Sequence, residues 1–280
     1  MMVLYNGGLL PANAVRLALP NRGLFFNDGF FETLVWADGR LRYLTQHWNR
    51  MQRAAAALGL VLPGPLATPE ALTATLARLV AAQPAPAGPQ RLRLQLWRSG
   101  GGLYAPATSA AEWLATAQPF AARETPVESA DFAATVRTAC SPVSFCKGPN
   151  ALLYVLAARE REQRGLEEIL LLSAEGYVAE AGAAAVAWIR DGAVWTPAET
   201  AGGVAGTRLA HLRAAAEKLA LPWHAGLYEP AALLAAEAVF TANVAGIRPV
   251  LRVGEATFAS DHHPVLRALR AAEQRLLRPE

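Results

Sequence analysis

Residues 30–58 pass through a strand, a tight turn, a return strand and a helix in immediate succession. Phe30-Phe31-Glu32-Thr33-Leu34-Val35-Trp36 is rich in the aromatic and β-branched residues that suit a pleated surface. It ends at Asp38-Gly39, a pair that tolerates the positive φ of a hairpin turn. Arg40 to Leu44 reads as the return strand. From Thr45, the apolar residues Trp48, Met51, Ala55 and Leu58 recur at helical spacing, and Gly59 closes the helix. Two periods this close in sequence require a mixed α+β architecture.

The same alternation continues along the chain. Residues 2–5 and 13–18 read as short strands around Asn6-Gly7-Gly8. Thr68-Pro69 opens a helix, with Thr68 as N-cap and Pro69 in the first turn. Residues 84–89 read as a loop, and Arg91 to Trp97 alternates as a half-buried strand does. Pro119 and Pro126 interrupt a stretch without period, which we read as a linker. The expected organisation is an N-terminal α+β domain over 1–117, a linker over 118–128 and a C-terminal α/β domain over 129–280. In the second half, a strand over 132–138 precedes a helix from Asn150 to Gln163. Strands follow over 168–172, 177–178, 184–189 and 194–195, and helices over 207–219, 229–235 and 262–277.

Hydrophobic residues make up 53% of the 280 and charged residues 18%, the balance of a chain with a buried core rather than a disordered one. A net charge of +3 with no cationic run gives no nucleic-acid surface. Cys140 and Cys146 are too few for a disulfide framework and lack zinc-ligand spacing. His262-His263 point to different faces of a helix with no third ligand nearby, so no metal site is expected. Without a signal-peptide pattern or a long apolar run, the expected location is the cytoplasm.

The chain has only two lysines, Lys147 and Lys218. Lys147 stands between Phe145-Cys146 and Gly148-Pro149. An apolar setting disfavours the ammonium form, and the neutral amine is a nucleophile that forms Schiff bases with carbonyls. A lone loop lysine is more often a solvated charge, so the surrounding motifs decide.

Those motifs, in order, resemble the class IV aminotransferase family, the pyridoxal-phosphate enzymes of fold type IV. The resemblance runs from about Tyr5 to Val253. Arg22-Gly23 and Asn27-Asp28-Gly29-Phe30-Phe31-Glu32-Thr33 are similar to the family's stretch bordering the active site. His47-Trp48-Asn49-Arg50 is similar to its His-x-x-Arg. Lys147, with Asn150 three residues on, matches the family lysine. Gly176-Tyr177-Val178-Ala179-Glu180 is similar to its Gly-x-Val-x-Glu. Gly202-Gly203-Val204-Ala205-Gly206-Thr207-Arg208 resembles its glycine-rich loop, and Phe240 to Val250 its second phosphate-contacting turn. The family usually continues after the glutamate with serines and an asparagine; here Ala181-Gly182-Ala183-Ala184-Ala185 takes their place.

The resemblance implies a two-domain, α/β (α+β), fold type IV enzyme with pyridoxal 5'-phosphate as cofactor. By it, Lys147 carries the cofactor as a Schiff base and shuttles the substrate proton. Arg50 grips the phosphate, as a guanidinium fork suits its oxygens. Glu180 faces the pyridine nitrogen, Val204 packs on the ring, and Gly206, Thr207 and Asn243 complete the phosphate site. Arg98, in Trp97-Arg98-Ser99-Gly100, is the candidate for the substrate carboxylate, with Phe31 beside the substrate. The implied activity is amino transfer from an amino acid. The alternatives are 4-amino-4-deoxychorismate lyase, releasing pyruvate and p-aminobenzoate, and a non-catalytic binding protein of the same fold. The family also implies a homodimer acting on a small molecule, with no nucleic acid or membrane partner.

Overall fold

The computed structural model describes residues 1–84 and 88–277, so the middle of the 84–89 loop lies outside the described residues. The chain divides into two compact units. One comprises Met1–Ala121 with Cys146–Pro149, the other Ala122–Phe145 with Asn150–Glu280.

The first unit contains β1 (Met2–Tyr5), β2 (Gly8–Pro11), α1 (Arg22–Phe26), β3 (Gly29–Ala37), β4 (Arg40–Leu41), α2 (Leu44–Leu58), α3 (Pro69–Ala81), β5 (Gln90–Arg98) and β6 (Ala111–Pro119). The strands form one antiparallel sheet in the order β2-β1-β6-β5-β3-β4. Helices α2 and α3 pack on it, and Leu34, Leu92, Leu94, Met51, Leu72, Leu76 and Leu79 are fully buried. Side chains alternate along β3, so Glu32 and Phe31 take opposite faces. The register places Thr33, Arg93 and Thr116 in one row across three strands.

Local chemistry explains the helix ends. Thr68 accepts a hydrogen bond from Ala71 N at 3.1 Å, the N-cap expected for α3. Gly59 ends α2 in the left-handed conformation, φ +61°. The return strand expected over 40–44 stops at Leu41, because Tyr43 turns left-handed, φ +55°, to start α2. The strand expected over 13–18 is absent: β2 comes earlier, and a short 3-10 turn follows over Ala12–Ala14.

The second unit contains β7 (Ala130–Phe132), α4 (Ala151–Gln163), β8 (Glu168–Leu172), β9 (Val178–Ala181), β10 (Ala185–Arg190), β11 (Ala193–Pro197), α5 (Thr207–Lys218), β12 (Trp223–Gly226), α6 (Pro230–Leu234), β13 (Ala238–Asn243), β14 (Gly246–Val250), β15 (Arg252–Val253), β16 (Ala256–Thr257) and α7 (Pro264–Leu276). They make two sheets, β12-β11-β10-β13-β14 and β16-β15-β7-β8-β9. Val186, Trp188 and Val239 of the first join Leu170 and Val178 of the second in one core. The other face of the first sheet buries Phe240 and Ile247 with Leu212 of α5 and Leu269 of α7. Ala157 of α4 packs on Ile169 and Leu171 of β8. The strand expected over 132–138 is confined to β7, and pairing resumes only at the bridge between Thr138 and Ser173. Among the described residues no helix is long and apolar enough to cross a membrane.

Candidate active site

In the first unit, Glu32 projects from β3 onto α2, where His47 and Arg50 stand three residues apart on one face. Its Oε2 meets His47 Nδ1 at 2.7 Å and receives Arg50 Nη2 at 2.6 Å, while Oε1 receives Arg50 Nε at 2.7 Å. All three residues are buried. Burial pushes the carboxyl upward, but the Arg50 charge and the His47 contact outweigh it and hold Glu32 at about 2. For His47 burial dominates, and the Arg50 and Lys147 charges add to it, so its pKa falls despite Glu32. A neutral imidazole beside an ionised carboxylate carries its proton on Nδ1. Nε2 is then a buried acceptor, and it has no hydrogen-bond partner.

The lysine loop is fastened to the start of β3. Lys147 O accepts from Phe31 N at 2.8 Å. Asn27 Nδ2 donates to Gly148 O at 2.7 Å and to Pro149 O at 3.2 Å. Gly148 has φ +133°, and a Cβ there would lie 2.9 Å from Phe30 Cα, so the close approach and the backbone angle both demand glycine. The neighbouring Cys146 thiol is pushed up to about 11, chiefly by burial, which disfavours its thiolate form.

In the second unit, Glu180 is 5% exposed. Its Oε1 accepts from Tyr154 Oη at 2.5 Å and from Val204 N at 3.2 Å. Tyr154 lies on α4, one turn after Asn150; the motifs did not single it out, because its place opposite β9 is set by the fold. Gly206 starts α5 with no side-chain cap, so the first-turn amides have no side-chain acceptor at the cap. Thr207 is buried. Asn243 closes the β13–β14 turn: Oδ1 accepts from Ala245 N and Gly246 N, and Nδ2 donates to Ala183 O at 3.1 Å. Arg208 Nη1 donates to Asn243 O at 3.3 Å, tying the start of α5 to this turn, and its Nε and Nη2 pair with buried Glu273.

Of the expected site residues, Phe31, Arg50 and Lys147 therefore share the first unit, and Glu180, Val204, Gly206, Thr207 and Asn243 the second. Arg98 is placed differently from the expectation. It is buried, its Nε pairs with Asp28 at 2.9 Å, and Nη1 donates to Gly59 O and Thr108 O. Nη2 donates to Leu58 O. This guanidinium closes the end of α2 and the loop before β6. Asp28 also takes Arg22 Nε at 2.7 Å.

The donor set suits pyridoxal phosphate. An anchored amine, a buried carboxylate and an uncapped helix start respectively match its aldehyde, its ring nitrogen and its phosphate. Gly206 adds a cradle, since a Cβ there would come within 3.0 Å of Ala185 Cβ. Among the described residues no group of three or more His, Cys, Asp or Glu could hold a metal ion.

Comparison with known proteins agrees with this chemistry. The family model described as amino-transferase class IV matches residues 29–253. The D-alanine aminotransferase of Listeria innocua serovar 6a is 30% identical over 206 residues, spanning 71% of this chain and 68% of that protein. Two solved structures share the fold. A branched-chain aminotransferase from Thermoproteus uzoniensis with norvaline has a TM-score of 0.87 at 22% identity, covering 99% of this chain and 94% of the other. A hypothetical aminotransferase from Mycobacterium tuberculosis in a PLP-bound form has 0.83 at 20%, covering 99% of both. The chain belongs to the class IV aminotransferases.

Proposed function

We propose that this protein moves the amino group of an amino acid to an oxo acid, with pyridoxal phosphate as cofactor. When bound, the cofactor supplies an aldehyde that links to amines and a protonated ring that withdraws electrons from the substrate α-carbon. The Lys147 amine would hold the cofactor through its aldehyde and would move the proton at the substrate α-carbon. Glu180 keeps the ring nitrogen protonated, and Tyr154 orients Glu180. Val204 packs against the ring. Gly206, Thr207 and Asn243 bind the phosphate through the start of α5 and the adjoining turn, and Arg50 adds its charge. Phe31 stands beside the substrate.

The observation that carries this reading is the clamped lysine loop. Asn27 and the Phe31 amide hold the carbonyls of Lys147, Gly148 and Pro149, and position 148 has room only for glycine, around one of the chain's two lysines. Purified protein with pyridoxal phosphate is expected to show a near-ultraviolet or visible absorption band that borohydride abolishes. Lys147→Ala is expected to lack the band; a normal spectrum in that variant refutes the assignment. Oxo-acid-dependent transfer is expected in steady-state assays. Release of pyruvate and p-aminobenzoate from aminodeoxychorismate, with no transfer, replaces this activity by the lyase.

The acting form is proposed to be a homodimer. Leu24, Phe25, Leu103 and Tyr104 are exposed in the first unit, Leu103 by 80% and Tyr104 by 91%, an apolar cost that a second copy would remove. Sedimentation equilibrium giving only monomer at micromolar concentration overturns this. Cys140 and Cys146 are both free thiols, which suits the reducing cytoplasm as location.

A further inference from the structure

Helix α7 carries a single acid, Glu273, and places it on its apolar stripe. Leu266, Leu269 and Glu273 recur at helical spacing, and the two leucines pack with Leu212 of α5 in one core. The Glu273 side chain is fully enclosed, and Arg208 of α5 meets it there. Arg208 Nε donates to Oε1 at 2.9 Å and Nη2 to Oε2 at 3.1 Å. Two parallel bonds fix the plane of the guanidinium. The third nitrogen, Nη1, is thereby directed at Asn243 O, 3.3 Å away. Glu124 reaches Nη2 only at 3.6 Å, from a more exposed position.

The pair anchors the first turn of α5. The first intrahelical bond runs from Ala210 N to Gly206 O at 2.9 Å, so the amides of Thr207, Arg208 and Leu209 precede it. Arg208 therefore supplies one of these amides while its side chain is held by α7 and holds the β13–β14 turn. A buried ion pair is an inefficient source of stability, because desolvation of both charges offsets their attraction. What it supplies well is direction. A carboxylate has no attraction for an anion, so Glu273 can favour phosphate binding only through the geometry it imposes.

We propose that Glu273 is a positioning residue for the cofactor phosphate: through Arg208 it keeps the start of α5 and the Asn243 turn in fixed register, so that both present their donors to one phosphate. The inference rests on the cofactor placement of the amino-transfer reading, not on the reaction itself.

The test is titration of the full-length protein, freed of cofactor, with pyridoxal phosphate and with pyridoxal, which lacks the phosphate, read from the absorption band of the bound aldehyde. The ratio of the two affinities reports the phosphate site. In Glu273→Gln, with its fold checked by circular dichroism, affinity for pyridoxal phosphate is expected to fall about 10- to 100-fold while that for pyridoxal changes by less than about threefold. Arg208→Lys, which keeps the cation but not the fork, is expected to lower the same ratio, and it decides if the glutamine variant fails to fold. An unchanged ratio in either variant, equal weakening of both ligands, or tighter binding of pyridoxal phosphate in Glu273→Gln overturns the inference. Thr207→Val separates the two levels. A ratio lowered by Thr207→Val but not by Glu273→Gln keeps the phosphate placement and refutes the role of Glu273; a ratio lowered by neither refutes both. A ratio that depends on Glu273, with no amino transfer to any oxo acid, supports the inference and refutes the transfer reading.

Discussion

Glu32→Gln tests whether the buried triad of Glu32, His47 and Arg50 is held together by charge. Glutamine preserves the shape but removes the negative partner of a buried guanidinium. Glu32 sits at about 2 in the folded protein against an ordinary 4.5. At about 1.4 kcal/mol per pKa unit, that gap is roughly 3 kcal/mol of stability near neutral pH, in the range of the ~3–5 kcal/mol of a broken buried pair. The sign follows from the depressed value. The stabilisation is complete above about 4.5 and is lost as pH falls towards about 2, because the unfolded chain takes up the proton first. Urea unfolding followed by circular dichroism, on wild type and variant at successive pH values, reads this directly. The wild-type slope alone does not isolate it, since Glu160 is also held at about 2. His47, lowered by burial, adds acid sensitivity below its ordinary 6.5. The difference between the two proteins does isolate it: roughly 3 kcal/mol near pH 7, shrinking to roughly 1 kcal/mol near pH 3. A gap below about 1 kcal/mol at neutral pH, or one that stays constant on acidification, refutes the argument.

Two further outcomes follow from the site. Tyr154→Phe removes a charge-assisted donor to Glu180, so kcat should fall about 10- to 100-fold while the cofactor band remains; a band lost outright would mean that Tyr154 holds the cofactor rather than Glu180. Gly148→Ala strains a backbone at φ +133° and drives a Cβ against Phe30. It should cost about 1–3 kcal/mol of stability and weaken the Lys147 band, whereas a wild-type melt and spectrum would show that the loop has room.

Much of this architecture is legible in the residues themselves. The β3 hairpin, α2, α3 and α4 carry strong periods and recognisable ends, and they occur with boundaries within a few residues of those expected. The strands that escaped lack alternation. Ala238-Val239-Phe240-Thr241-Ala242 is buried on both faces, so every position tolerates an apolar or small residue and no period of two survives. The strand β6 has Ala115 and Ala117 at inward positions, where larger side chains would have marked the inward face. Among site residues, Lys147 and Glu180 stood out because of their apolar neighbours. Arg98 misled because sequence spacing does not reveal whether a guanidinium's donors are already engaged, and here backbone carbonyls and Asp28 take them. Tyr154 depends on which residues from different elements share a face, which only the folded register reveals.

Four residues, Cys146–Pro149, belong to a compact unit whose other members all precede position 122. Any fragment cut at that boundary would therefore lose its lysine and leave the Phe31 amide and the Asn27 carboxamide with no carbonyl to receive them. The packing of the N-terminal unit is completed only by residues that lie beyond position 145 in the chain. Attempts to dissect, permute or transplant this module must treat that short return as an inseparable part of it.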